Sequence, residues 1–410
     1  MLNIIWSGFF IAAFILAIWQ SVFEGNTQIW STLTDASFGA ARNAFEITLN
    51  LTGMMCLWLG LLKIAEKTGL TRTLAKALQP LFRKIMPDIP SNSPAFGSMV
   101  MNIAANILGL DNAATPMGIK AMEQLQAENP HKEKASAAQI LFMVINTSSV
   151  TLIPITILMY RQQFGSAYSG LVFIPILLAT SLSTLVGFLS VAIMEKLPIF
   201  NKVVLGYLGI FIGFIAVVAL EFANLNNADR VTVASTVSNI ALFGMIAGFI
   251  GYAFYKQVNV YDTFIEGAKE GFETTVRIIP YMVAMLVGIA VFRASGALDY
   301  LLSGCRYIIE FFNGKTDFIP ALPTAFLKPL SGSGARAMMI ETMQMYGVDS
   351  FPAFVSSVIQ GSTETTFYVL AIYFGAIRVT KTGSALPCAL LADLAGICCA
   401  IALSYIFYQG

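Results

Sequence analysis

The chain has 410 residues, of which 57% are hydrophobic and only 11% charged, with a formal net charge of +1. Its mean hydropathy is +0.73, and an average soluble domain carries roughly 25% charged residues, so a water-soluble fold of this size is excluded. Near-neutral charge with basic residues spread singly gives no sign of a nucleic-acid partner, and the partner expected instead is a lipid bilayer.

In chain order, the opening MLNIIWSGFFIAAFILAIWQSVF lacks a positive n-region, and its apolar part is too long for a signal peptide. It is expected to be retained as a first span. Runs of about 20 apolar residues place spans near 2–20, 43–62, 168–194, 203–221, 236–255, 278–292 and 385–408. The 278–292 run is short alone and is expected to begin earlier, as an amphipathic helix with Glu270, Glu273 and Arg277. The stretch 71–87, TRTLAKALQPLFRKIMP, sets basic residues between apolar ones at helical spacing, the pattern of a helix in the membrane interface. Residues 298–313 are its counterpart in the second half.

Two stretches, 94–127 and 318–346, are apolar but cut by Gly, Pro, Asn and Ser. Each reads as a re-entrant hairpin, because irregular backbone at membrane depth survives only when buried in protein or lining a cavity. The stretches 137–160 and 353–377 are long enough to span but carry polar centres, and read as broken transmembrane helices. With the N-terminus inside, Lys63, Lys67, Arg72, Lys76, Arg83 and Lys84 lead a large excess of basic residues in inner loops. Arg42, Arg161, Arg230, Arg293, Arg306 and Lys315 fall outside. That asymmetry follows the positive-inside rule, provided both hairpins return to the side they entered from.

The chain also repeats itself. ARNAFEIT (41–48) is like AKEGFETT (268–275), EKTGL (66–70) lines up with RASGA (293–297), GIKAM (118–122) with MIETM (339–343), and NTSSVT (146–151) with QGSTET (360–365). Each half therefore reads as span, interfacial helix, hairpin, broken helix, span. Three crossings in the first repeat and two spans between the repeats make an odd number, so the two halves are expected to face opposite ways. Inverted repeats with broken helices near the midplane are the architecture of secondary transporters.

The candidate site follows from these breaks. The first broken helix offers Asn146, Thr147 and Ser148, and the second offers Gln360, Ser362, Thr363 and Glu364. Freed backbone groups at a break can hold a solute or ion. The first hairpin tip adds Asn106, Asp111, Asn112 and Thr115, and the second, KPLSGSGARAMMIE, adds Ser331, Ser333 and Arg336. An ionisable group at bilayer depth is costly to charge and marks a functional site by default. Glu364 is therefore either protonated, set in a hydrated cavity, or a structural carboxylate paired with a neighbour such as Arg336. Asp111 is either a ligand or the cap of the half-helix that follows. SGSG is either an anion-binding turn or a tight turn with a serine N-cap. Asp393 reads as structural. The single histidine, His131, lies in a polar loop, and the five cysteines sit mostly in apolar runs without metal-ligand spacing. No metal, cofactor or enzymatic activity is expected; the expected ligands are a small-molecule solute and a coupling ion, H+ or Na+.

These motifs resemble those of the spore maturation A and B proteins, joined in one chain. LWLGLLKIAEKTGL, MPDIP, NAATPMGIKAMEQ and INTSSVTLIP resemble the A type. The run from VYDTFIEGAKEGFETT to FRASGALD, with KPLSGSGA and QGSTETTFYVLAIYFGA, resembles the B type. The resemblance covers nearly the whole chain and implies membership of the wider nucleoside-recognition, or gate-domain, group. It implies an all-α polytopic membrane protein of two inverted gate-domain repeats, residues 1–200 and 201–410, each with a re-entrant hairpin and a broken transmembrane helix. It also implies a transport-type function in a bacterial inner membrane, where the charge asymmetry puts the N-terminus of this multi-pass chain on the cytoplasmic side; the alternative is a non-transporting component that assists spore or envelope maturation through protein partners. A homo-oligomer is left open. One departure from the B-type pattern is Arg336–Ala337 after SGSGA, which bears on the charge of the solute.

Overall fold

Apolar runs in hydrocarbon become helices because only there can each backbone N–H and C=O be satisfied within its own segment. The computed structural model describes residues 2–408 apart from 91, 108–110 and 153. The first half runs α1 (Leu2–Phe23), α2 (Ile29–Asn50), α3 (Thr52–Lys67), α4 (Leu70–Ile85), α5 (Ala95–Ile107), α6 (Asp111–Glu128), α7 (Ala137–Thr147), α8 (Ile155–Gln163) and α9 (Phe173–Met194). Two linking helices follow, α10 (Lys202–Asn224) and α11 (Asn227–Tyr255). The second half runs α12 (Val260–Ala294), α13 (Ala297–Phe311), α14 (Leu322–Leu327), α15 (Gly332–Tyr346), α16 (Phe351–Ser362), α17 (Thr366–Ala376) and α18 (Ala385–Phe407). Among the described residues, six helices are long and apolar enough to cross a membrane, or up to seven if the bent pair α2–α3 counts as one span.

The outside of this bundle is apolar. Helices α1, α10 and α11 turn Ile15, Ile210, Leu220 and Phe243 outward, while α9 is mostly buried. An exterior of this kind is stable against acyl chains and not against water. The span expected at 43–62 is a correction: it is not one helix. Helices α2 and α3 meet at Leu51 with a bend of 41°, and α2 starts as early as Ile29. The apolar-run criterion missed residues 29–42 because Thr32, Thr34 and Ser37 interrupt them. Each of these hydroxyls donates to the carbonyl four residues earlier, so it is satisfied without leaving the helix.

The two halves share their punctuation. Gly69 (φ 75°) and Gly296 (φ 81°) adopt left-handed backbone at the junctions α3–α4 and α12–α13, a conformation in which other residues are strained. Ser136 and Ser350 cap α7 and α16 through the amides of Gln139 and Ala353, and Gln139 returns a bond to the Ser136 amide to complete a capping box. At the four places marked for hairpins and broken helices the chain forms consecutive helices with a break between them, α5–α6, α14–α15, α7–α8 and α16–α17.

The two halves pack as one body, chiefly α2 and α3 against α12 and α9 against α18. The first seam is made by glycines. A Cβ on Gly267 would stand 2.4 Å from the Leu59 carbonyl oxygen, and one on Gly271 would stand 2.7 Å from that of Met55. This Gly-x-x-x-Gly pair lets two backbones approach closely, as small residues do at membrane helix interfaces. Lys63 and Lys67 of α3 close the same seam with Glu270 (2.7 Å) and Glu266 (2.5 Å) of α12. Gly267→Leu is expected to lower the thermal unfolding temperature of the purified protein, by an overpacking cost of about 1–3 kcal/mol.

The second hairpin is tethered to the scaffold. Arg293, at the end of α12, donates from Nη2 to Glu341 Oε2 of α15 at 2.8 Å, and its Nε meets the other carboxylate oxygen. Both side chains are largely buried. At the matching positions of the first half, Glu66 and Lys120 carry the reverse charges and are exposed. Breaking a buried pair leaves an uncompensated charge, so Glu341→Gln is expected to cost on the order of 3 kcal/mol. Lys120→Gln should change the melting temperature by little in the same unfolding experiment.

Candidate functional site

Where a span breaks, carbonyls of the first half-helix and N–H groups of the second lose their partners. The first break covers residues 148–154, and Pro154, which has no N–H, leads into α8. The second covers residues 363–365. The two breaks meet: the Glu364 N–H donates to the Thr147 carbonyl at 2.7 Å. Each break is also bonded to the hairpin of its own half. The Leu152 N–H donates to the Ile107 carbonyl (3.2 Å), and the Phe367 N–H to the Pro329 carbonyl (3.0 Å). From the next span, the Thr184 hydroxyl of α9 donates to the Ser148 carbonyl. The Thr366 hydroxyl donates to the Asp393 carboxylate of α18 at 2.7 Å.

This junction leaves an open space. A cavity of about 130 Å³ is lined by Asn106, Ser149, Thr151, Lys328, Gly332, Arg336, Gln360, Thr363, Glu364 and Thr365, among others. A second, of about 300 Å³, shares Asn106 and Glu364 and adds Thr115, Asn146, Tyr368 and Tyr373. Glu364 is exposed to these cavities. The alternative of a carboxylate paired with Arg336 is not what forms: among the described residues Arg336 has no carboxylate within ion-pair distance, and its neighbour is the Tyr160 hydroxyl.

The wall contributed by the first hairpin is a neutral amide network. Asn106 Nδ2 donates to Asn146 Oδ1 (2.7 Å), which also accepts from the Tyr373 hydroxyl (3.0 Å). Asn102 Nδ2 donates to the Ala114 carbonyl (2.8 Å) and to Tyr373 Oη (3.1 Å). Tyr373 lies flat against Phe142, ring centroids 5.6 Å apart. Its hydroxyl reaches this network only because position 118 is glycine; a Cβ there would stand 2.0 Å from Tyr373 Oη.

Of the residues marked in the sequence, the structure gathers Asn106, Thr115, Asn146, Arg336, Gln360, Thr363 and Glu364 around the two cavities. Others stand behind the wall. Thr147 and Ser148 donate to the Val144 carbonyl, and Ser362 to the Ile359 carbonyl. Ser331 accepts from the Gly334 N–H, the serine N-cap of α15, with Ser333 Oγ 3.3 Å from it. The side chains of Asp111 and Asn112 lie outside the described residues, although α6 begins at Asp111. Lys328, Tyr160 and Tyr373 were missed. Lys328 was legible as an intramembrane cation in the second hairpin; the two tyrosines sit in apolar runs where nothing separates them from packing residues.

Comparison with known proteins places this geometry. The chain is 45% identical over 159 residues to spore maturation protein B of Bacillus subtilis (strain 168), covering 38% of this chain and 86% of that protein. It is 37% identical over 183 residues to spore maturation protein A of the same organism, covering 45% of this chain and 90% of that protein. The chain belongs to the spore maturation protein A/B family. It carries in one polypeptide what those two relatives carry in two. The model of the Gate family, described as nucleoside recognition, matches residues 48–163, the part of this A/B-type chain that supplies the first hairpin, the first break and the amide wall.

The close approach at Gly118 yields a test. Gly118→Ala is expected to lower the melting temperature by displacing Tyr373 from Asn102 and Asn146. The loss should be smaller when introduced into Tyr373→Leu, a coupling that a double-mutant cycle of thermal unfolding measures.

Proposed function

We propose that this protein is a secondary transporter or exchanger that moves a small polar or anionic solute through the two adjoining cavities. The reading also takes it to reside in a bacterial inner membrane with its N-terminus in the cytoplasm, the two halves oppositely oriented. The observation that carries it is the meeting of the two breaks at the Glu364 N–H···Thr147 bond, with the Glu364 carboxylate facing open space. Discontinuous helices of paired repeats around a polar midplane site are the usual construction for alternating access. Glu364 or Asp111 is the group to take the coupling H+ or Na+. Tyr368 and Tyr373 in the larger cavity, together with the description of the Gate family, support a nucleoside as one solute to try.

The names of the two Bacillus relatives favour a second reading, a non-transporting membrane component of spore or envelope maturation that acts through protein partners. Solute counterflow in proteoliposomes separates the two. Transport predicts accumulation of a labelled solute against an unlabelled interior pool, and a fall of about tenfold or more in Glu364→Gln, the scale of one lost charged hydrogen bond. A ligand that stabilises the protein yet never moves across the membrane supports the second reading.

A further inference from the structure

We infer that the solute taken by the smaller cavity is a small zwitterion, one that carries a carboxylate and an ammonium a few bonds apart. This rests on the same cavity being the solute site. The first reason is charge. Arg336 and Glu364 both line a space of about 130 Å³ and are not paired with each other. Lys328, also on the wall, has Asp393 of α18 as an electrostatic neighbour. Arg336 and Glu364 are thus the opposite charges left facing the solute. They are held apart by backbone: Glu364 by its N–H bond to Thr147, Arg336 by its place on α15.

The second reason is unspent hydrogen bonding. Gln360 Oε1 lacks a partner although the residue is more than nine-tenths buried, and Arg336 Nε lacks one too. Both belong to the wall of this cavity. A buried polar atom left unpaired costs about 1–3 kcal/mol, so two beside one space mark bonds reserved for an occupant. They divide by chemistry. Gln360 Oε1 and the Glu364 carboxylate are acceptors suited to an ammonium. The Arg336 fork is suited to a carboxylate, aided by the positive end of α15 at Gly332. Gly332 is itself a fit requirement, since a Cβ there would stand 2.6 Å from Thr365 Oγ1.

The third reason is size. The space is well above the ~10–15 Å³ that one water occupies on this measure, enough for a solute of a few heavy atoms. A nucleoside would need the second cavity as well.

The test uses the purified full chain and thermal shift. Glycine, L-alanine and L-serine are the zwitterions, ethylamine is the amine alone, propionate the acid alone, and uridine the uncharged polar control, each to about 10 mM, tenfold above a millimolar Kd. At least one zwitterion is expected to raise the melting temperature where ethylamine and propionate do not. Arg336→Gln and Glu364→Gln, checked for monodispersity, should each weaken that ligand by at least about tenfold, while Arg336→Lys keeps part of the affinity. Propionate acting as well as the zwitterions, uridine acting alone, or no shift from any zwitterion overturns the inference. Counterflow of the same labelled compounds keeps it distinct from the transport reading. Zwitterion binding without counterflow removes transport and leaves the zwitterion site; uridine counterflow without zwitterion binding removes the zwitterion site and leaves transport.

Discussion

A helix broken at bilayer depth frees backbone groups that have no water to turn to, and each unsatisfied group there costs several kcal/mol. The rest of the structure answers that constraint. The two breaks satisfy part of each other's need through the Glu364 N–H and the Thr147 carbonyl. Their own hairpins supply the carbonyls of Ile107 and Pro329, and the span after the first break supplies the Thr184 hydroxyl to the Ser148 carbonyl. Ile107, Pro329 and Thr184 each lie in the same half as the break they serve, and of these bonds only Glu364 N–H to the Thr147 carbonyl joins the two halves.

Close approach is the condition for those bonds, and glycine provides it where backbones or hydroxyls come within reach. Gly267 and Gly271 bring α12 onto α3, Gly118 admits Tyr373, and Gly332 admits Thr365. Each is a place where a methyl group would overlap a neighbour, so packing of the scaffold and shape of the cavity depend on the same residue choice.

Similar backbones carry different chemistry in the two halves. The first contributes a neutral amide and hydroxyl wall of Asn102, Asn106 and Asn146, joined by Tyr373 from the second. The second contributes the charges Lys328, Arg336 and Glu364. The tether to the scaffold differs as well, since Arg293–Glu341 is buried and closed while Glu66 and Lys120 are exposed. Among the described residues the charged groups on the cavity walls come from the second half, and the Glu364 carboxylate faces both cavities.

Much of this was legible along the chain. Apolar run length and missing charge determine a polytopic helical protein, Gly, Pro and hydroxyl clusters mark the places where helices break, and Glu364 stands out as a carboxylate in an apolar run, because these are local statements about which backbone can survive in lipid. The α2 helix was hidden by hydroxyls that bond their own backbone. Tyr160 and Tyr373 were hidden because a tyrosine in an apolar run has the same neighbours in sequence whether its hydroxyl packs or binds. Which serines and threonines face the cavity was equally undecided: Thr363 does, while Thr147, Ser148 and Ser362 donate to their own helices. Only the tertiary structure decided that Arg336 stands beside Tyr160 and not in a pair with Glu364, since pairing depends on distances between elements that the order of residues does not contain.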